Sequence, residues 1–182
     1  MIGLVILVIL VWSFYIGYAR GLVLQSFYSA SAVVAMIIAG QFYRRLSSFL
    51  SLWVPYASPS QGAAVSFYPT NKLFDLDQVF YAGLAYFLVF CLAYMIARFI
   101  GVFVHLAPIW KWNKLWMRVL SGALAAALSL FVIQMGLTIL STVPLALVQN
   151  HLQGSATARF LISHMPVTSQ LLRSLWVTKI IG

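Results

Sequence analysis

Two aspartates carry all the side-chain acid in this chain. Asp75 and Asp77 are its only acidic residues, and it has no glutamate. As a pair they are the one arrangement that resembles a general acid and base. Their position just ahead of a long apolar run fits a simpler role, because acids favour the positive N-terminal end of a helix. His105, His151 and His164 are widely spaced, and none has a partner at ligand spacing. Each reads as a surface or interface histidine. Cys91 is the only cysteine, so no internal disulfide is open to it and it reads as a small packing residue. The chain has no G-x-S-x-G, no G-x-x-x-x-G-K, no H-E-x-x-H and no glycine-rich dinucleotide turn. The sequence therefore predicts no catalytic residue, no metal and no cofactor, and a protein that is not an enzyme.

The elements that would position any chemistry are membrane spans. Hydrophobic residues make up 63% of the 182 and charged residues 7%, against about 25% charged in ordinary soluble domains. Four apolar runs cover residues 2–19, 22–43, 79–104 and 119–148. A bilayer core takes roughly 20 apolar residues per helix, and within lipid each span must satisfy its own backbone. The expected fold is an all-α membrane protein of four transmembrane helices. A hairpin comes first, an interfacial loop lies between the second and third spans, and an amphipathic segment ends the chain. Residues 1–182 are read as one integral membrane domain with a tail over 149–182. The first run lacks the basic start of a signal peptide and exceeds its usual apolar length, so it is read as a retained helix.

Several residues stand out within this frame. Gly17, Arg20 and Gly21 mark a tight turn between the first two spans, which makes those spans antiparallel neighbours. Gln25 and Ser29 share one helical face and form the candidate polar face of the second span. Ala93, Ala97 and Gly101 form a small-residue stripe on the third. Ser121, Gly122, Ala125 and Ser129 lie in an almost wholly small stretch at the start of the fourth, where another helix can approach closely. Arg20 and Arg98 sit near span ends and are expected to reach toward the headgroups. Leu46 to Val54 reads as a short interfacial helix. Pro144 is expected to end or kink the fourth span. Ser155 is expected to cap a short helix through Ser163, and Pro166 to open an amphipathic one. No run contains an acid, which disfavours ion coupling through a buried carboxylate.

The net charge is +9. The basic residues are scattered and lie mostly at span ends, so the expected partners are membrane lipids with anionic headgroups. Nucleic acid is not expected, because no basic face is clustered. A homo-oligomer or a complex with other membrane proteins is compatible with the small-residue stripes.

Nearly the whole chain resembles the colicin V production protein (CvpA) family of bacterial membrane proteins. The likeness is closest to versions from lactic acid bacteria and their relatives. It begins at Gly17-Tyr-Ala-Arg-Gly21 and continues through Leu52-Trp-Val-Pro-Tyr56 and Asp77-Gln-Val-Phe-Tyr-Ala-Gly83. It includes residues 113–122, where a basic residue precedes small ones, and the pattern of Pro144, Val148-Gln-Asn150, Ser155, Ala158-Arg-Phe160 and Pro166. Where many members have glycine in the last span, this chain has Ser121 and Ala125. The resemblance implies a protein that supports toxin or bacteriocin production or export and envelope homeostasis. It defines no reaction and brings no catalytic residues. A small oligomeric channel or exporter is the alternative.

The resemblance also implies a multi-pass protein of the bacterial inner membrane. Counting Arg20, Arg98, Lys111, Lys114 and Arg118 against Arg44, Arg45, Lys72 and Arg159 near the span ends favours the first and third loops in the cytoplasm. Both termini and the second loop are then outside. Single cysteines at Ser60 and Ser155, in a Cys91→Ala background, should react with an impermeant maleimide in intact cells. One at Asn113 should react only after lysis; the opposite pattern would reverse the topology.

Overall fold

The computed structural model describes residues 2–56, 76–106, 114–163 and 165. Six helices occur among them: α1 (Ile2–Arg20), α2 (Leu22–Trp53), α3 (Leu76–Leu106), α4 (Leu115–Ser141), α5 (Ala146–Gln153) and α6 (Ala156–Ser163). The first four are long and apolar enough to cross a membrane. The chain is an all-α membrane protein. Its exterior says the same as its composition: Leu4, Leu7, Val8, Val11 and Trp12 of α1 all project outward, a surface suited to lipid and costly in water.

Two long antiparallel interfaces dominate, α2 with α3 and α1 with α4. The first is built on an alanine face. Ala32, Ala35 and Ala39 recur at helical spacing on α2 and pack against Val79, Ala82, Ala85, Tyr86 and Phe90 of α3, with Met135 of α4 completing the cluster. Small side chains let the two backbones approach, and that closeness is the main source of helix association in lipid. Tyr86 crosses the interface and donates its hydroxyl to the Met36 carbonyl at 2.9 Å.

The α1–α4 interface is also close. A Cβ on Gly17 would lie 2.7 Å from the Ser121 carbonyl oxygen and collide with the Ala125 methyl; one on Gly122 would lie 2.9 Å from the Phe14 carbonyl. Ser121 Oγ donates to the Gly17 carbonyl at 2.6 Å, and Ser129 Oγ donates to Ser13 Oγ at 2.8 Å. The Arg118 guanidinium lies over the Tyr18 ring at 4.2 Å and its Nε donates to the Tyr18 carbonyl at 3.4 Å. Two carbonyls in the last turn of α1 thus accept from donors on α4, and that of Gly17 also accepts from the Gly21 amide at 3.3 Å.

These contacts divide the roles expected of the turn. Gly21 alone has positive φ among the described residues, at 85°, which glycine adopts without strain. Gly17 is helical and belongs to the α1–α4 seam. The hairpin exists at its turn, but α1 and α2 share little beyond it, because α1 is held by α4 and α2 turns its alanines to α3.

Some boundaries move. The helix starting at residue 22 does not stop near 43 but runs to Trp53, so the separate interfacial helix expected at Leu46 to Val54 is its last part. Residues 44–54 hold no glycine or proline to interrupt it. The fourth span stops at Ser141, not 148: Pro144 has no N–H and restricts the residue before it. Beyond the break, α5 and α6 fold back. Ala158, Leu161 and Ile162 are buried with Leu152, Ile6 and Leu137. Ser155 precedes α6, and its Oγ accepts from the Ala158 amide at 3.4 Å. Of the interfacial loop expected over residues 46–78, residues 46–53 continue α2 and 76–78 begin α3; residues 57–75 and the amphipathic segment after Pro166 lie outside the described residues.

Gly17→Val should be the most damaging single change in the bundle. Overpacking of this kind costs about 1–3 kcal/mol, whereas Ser121→Ala, which removes one interhelical bond, should cost about 0.6 kcal/mol. Unfolding in mixed micelles by titration with a denaturing detergent would rank them. Equal stabilities for Gly17→Val and the wild type would show that α1 does not sit on α4 in this way.

Candidate functional site

Polar side chains gather at the two ends of the bundle and behave differently there. At the α4 C-terminal end most are bonded within the fold, the buried Gln134 Oε1 excepted. Thr138 donates to the Gln134 carbonyl, Ser141 to that of Thr138 and Thr142 to that of Ile139, at 2.6–2.8 Å. Gln149 Nε2 donates to the carbonyls of Ser141 at 3.1 Å and Val143 at 2.9 Å, serving groups that the end of α4 leaves open. Gln134 Nε2 donates to the Leu161 carbonyl at 2.7 Å and ties α6 to the bundle. Tyr56 donates to the Thr142 carbonyl at 2.7 Å, while Tyr81 donates to that of Val54, also at 2.7 Å.

The Tyr56 hydroxyl is pushed up to about 12, first by burial, then by Asp77 and Tyr81. Asp77 sits in the first turn of α3, where its Oδ1 accepts from the Gln78 amide at 2.7 Å. That is a contact within the first turn of α3; Asp75, the other member of the pair, lies outside the described residues. Between α2 and α3 at this end a cleft of about 640 Å³ is lined by Arg44, Ser48, Ser51, Asp77 and Tyr81 among others. Ser48 and Ser51 donate back to their own helix.

At the Gly21 end Ser13 and Ser129 bond to each other, but other polar groups are left open. A cavity of about 120 Å³ is lined by Ser13, Arg20, Gln25, Tyr94, Arg98 and Ser129 with apolar neighbours from α1 and α4. Gln25 is only 2% exposed. Its Oε1, like the buried Ser29 hydroxyl one turn away, has no hydrogen-bond partner. The guanidiniums of Arg20 and Arg98 both lie over the Tyr28 ring, 5.3 Å and 5.1 Å from its centroid. Arg98 also lies 6.0 Å from the Tyr94 ring centroid. Tyr28 is held from behind: a Cβ on Gly101 would fall 2.7 Å from its hydroxyl.

Residues 2–166 match the family model described as colicin V production protein. The chain belongs to the colicin V production protein family. It is also similar to the uncharacterized transmembrane protein YshB of Bacillus subtilis (strain 168), with 29% identity over 180 residues and 97% of each chain covered. No solved structure matches it. For this member of the colicin V production family, the named residues therefore have to be understood from their own geometry.

That geometry brings the sequence candidates together in two groups. Gly17 meets Ser121, Gly122 and Ala125 in the α1–α4 seam, with Ser129 one step along it. Arg20 and Gln25 share the cavity, while Gly21 makes the turn beside it. Tyr28 and Tyr94 were not among the candidates; the i,i+4 spacing of Tyr94 and Arg98 on α3 is the signal that was available. His151 Nδ1 lies 2.9 Å from the Leu147 carbonyl on its own helix. No group of metal-ligating residues occurs among the described residues.

The bond made by Tyr56 is accessible to a pH test. A raised phenol pKa means the hydroxyl keeps donating below its unfolded value of roughly 10 and loses that contribution only as pH rises toward about 12. Tyr56→Phe should therefore cost about 1 kcal/mol, constant from neutral pH to about 10 and shrinking above it. A cost that vanished well below that pH would show that the hydroxyl is not engaged.

Proposed function

We propose that this chain is a non-enzymatic inner-membrane protein that supports toxin or bacteriocin production or export and envelope homeostasis. The family match over residues 2–166 carries the reading. The architecture is consistent with a scaffold. The side chains of Thr138, Ser141, Thr142 and Gln149 bond to backbone carbonyls of their own region, which stabilises the bundle without presenting reactive groups. We also place the Gly21 end in the cytoplasm and both termini outside. Arg20, Arg98, Lys114 and Arg118 lie toward that end, and the positive-inside rule favours it there. We also infer that the chain stands nearest the versions of the family from lactic acid bacteria and their relatives.

A channel or exporter is the second reading, favoured by the unpartnered Gln25 and Ser29 side chains. The cavity is lined at one end of the bundle and is too small for a solute path. A conduit would therefore run between copies, and the protein would act as an oligomer.

Deleting the gene in its host should lower secreted toxin activity and raise sensitivity to envelope stress, with both restored by the wild-type copy. No change in either measurement sinks the first reading. Solute flux or ion current from the purified protein in liposomes would instead favour the second.

A further inference from the structure

The cavity at the Gly21 end combines features that the family assignment does not explain. Arg20 and Arg98 converge on one aromatic ring, although like charges repel; Arg20 is half-buried and Arg98 exposed. No carboxylate faces them among the described residues. The one described acid is Asp77, 21 positions before Arg98 on the same helix and so about 30 Å away at 1.5 Å per residue. The Tyr28 ring face attracts both cations, and the close packing of Gly101 keeps it from swinging aside. The result is a pair of guanidinium forks held in place without an anion. Arginine forks match the oxygens of a phosphate. Beside them, Gln25 is nine-tenths buried and more, lines the cavity, and carries an Oε1 that accepts nothing. A buried acceptor left open is costly, and it calls for a donor such as a hydroxyl.

We propose that this cavity binds a glycerol phosphate group, its phosphate oxygens on Arg20 and Arg98 and a glycerol hydroxyl donating to Gln25 Oε1. The volume of about 120 Å³ suits a compact headgroup, well below the roughly 300–1,000 Å³ of pockets for larger ligands. Two sources present this chemistry: the headgroup of a phosphatidylglycerol-type lipid, and a soluble glycerol phosphate ester. The surroundings favour the lipid. Arg20 ends α1, so the cavity lies at the depth of the helix termini where headgroups sit. Phe99, Ile100 and Phe103 project outward from α3 beside Arg98 and offer a path for acyl chains. The inference stands apart from the toxin-production reading, because it is read on purified protein.

The test uses the full chain in nanodiscs of phosphatidylcholine containing either phosphatidylglycerol or phosphatidic acid, the latter lacking a headgroup hydroxyl. Lipid retained by the protein is measured by native mass spectrometry. The wild type should retain phosphatidylglycerol in preference to both other lipids. Arg20→Gln with Arg98→Gln should lower that retention at least tenfold, and Arg44→Gln with Arg45→Gln, at the opposite end, should leave it unchanged. Gln25→Leu removes a buried unpartnered group and is expected to fold. It should abolish the preference for phosphatidylglycerol over phosphatidic acid, and it decides the matter should the double arginine variant not fold. Separately, sn-glycerol 3-phosphate and inorganic phosphate are titrated into protein in neutral detergent. Saturable binding of the ester that needs Arg20 and Arg98 and displaces the lipid assigns the site to a soluble ligand, whereas lipid retention without it assigns the membrane. Retention equal in the wild type and a folded double arginine variant, or a lipid preference unchanged in Gln25→Leu, overturns the proposal.

Discussion

The contact of Gly17 with Ser121 is the constraint on which the bundle depends. Inside a bilayer apolar side chains gain nothing by leaving lipid for one another. A helix such as α1, apolar on nearly every side, has no preferred face except where backbones can touch. Gly17, Gly122 and Ala125 supply that place, and the Ser121 hydroxyl then reaches the Gly17 carbonyl. With α1 fixed on α4, the rest of the arrangement follows. The chain leaves α1 through Gly21, α2 departs toward α3, and the four helices enclose a small polar space beside the turn.

The two ends of the bundle differ in how far the fold satisfies their polar groups. Around Thr142 each donor has an acceptor close by, and the end of α4, α5 and the segment after α2 are joined through Gln149 and Tyr56. Around Tyr28 charge is gathered and left uncompensated by any described carboxylate. Satisfied polar groups at one end lend rigidity. The open ones at the other are where something from outside the chain has most to gain by binding.

The spans were legible in the sequence because lipid imposes a length and a composition that few other environments demand. The limits of α2 were less so. Arg44 and Arg45 read as the close of a span, yet arginine is a good helix former, and no breaker comes before Pro55. The small residues at 121–129 were visible as a packing face, and Gly17 as part of a turn, but their pairing joins positions 104 apart. Arg20 and Arg98 were each read as reaching for headgroups. Their meeting over Tyr28 depends on the register of α2 against α3, which one-dimensional spacing does not contain.

That separation along the chain has a bearing on biogenesis. The helix made first finds its main partner in one made much later. At about 5–20 residues per second, roughly 5–20 s pass between synthesis of Gly17 and of Ser121. Throughout that interval α1 stands in the membrane with its notch unfilled, and its closing contacts with α6 come later still. A helix so greasy tolerates the wait, since lipid solvates it almost all round. The bare backbone at Gly17 is then a temporary docking point, open to the insertion machinery or to a neighbouring chain until α4 arrives.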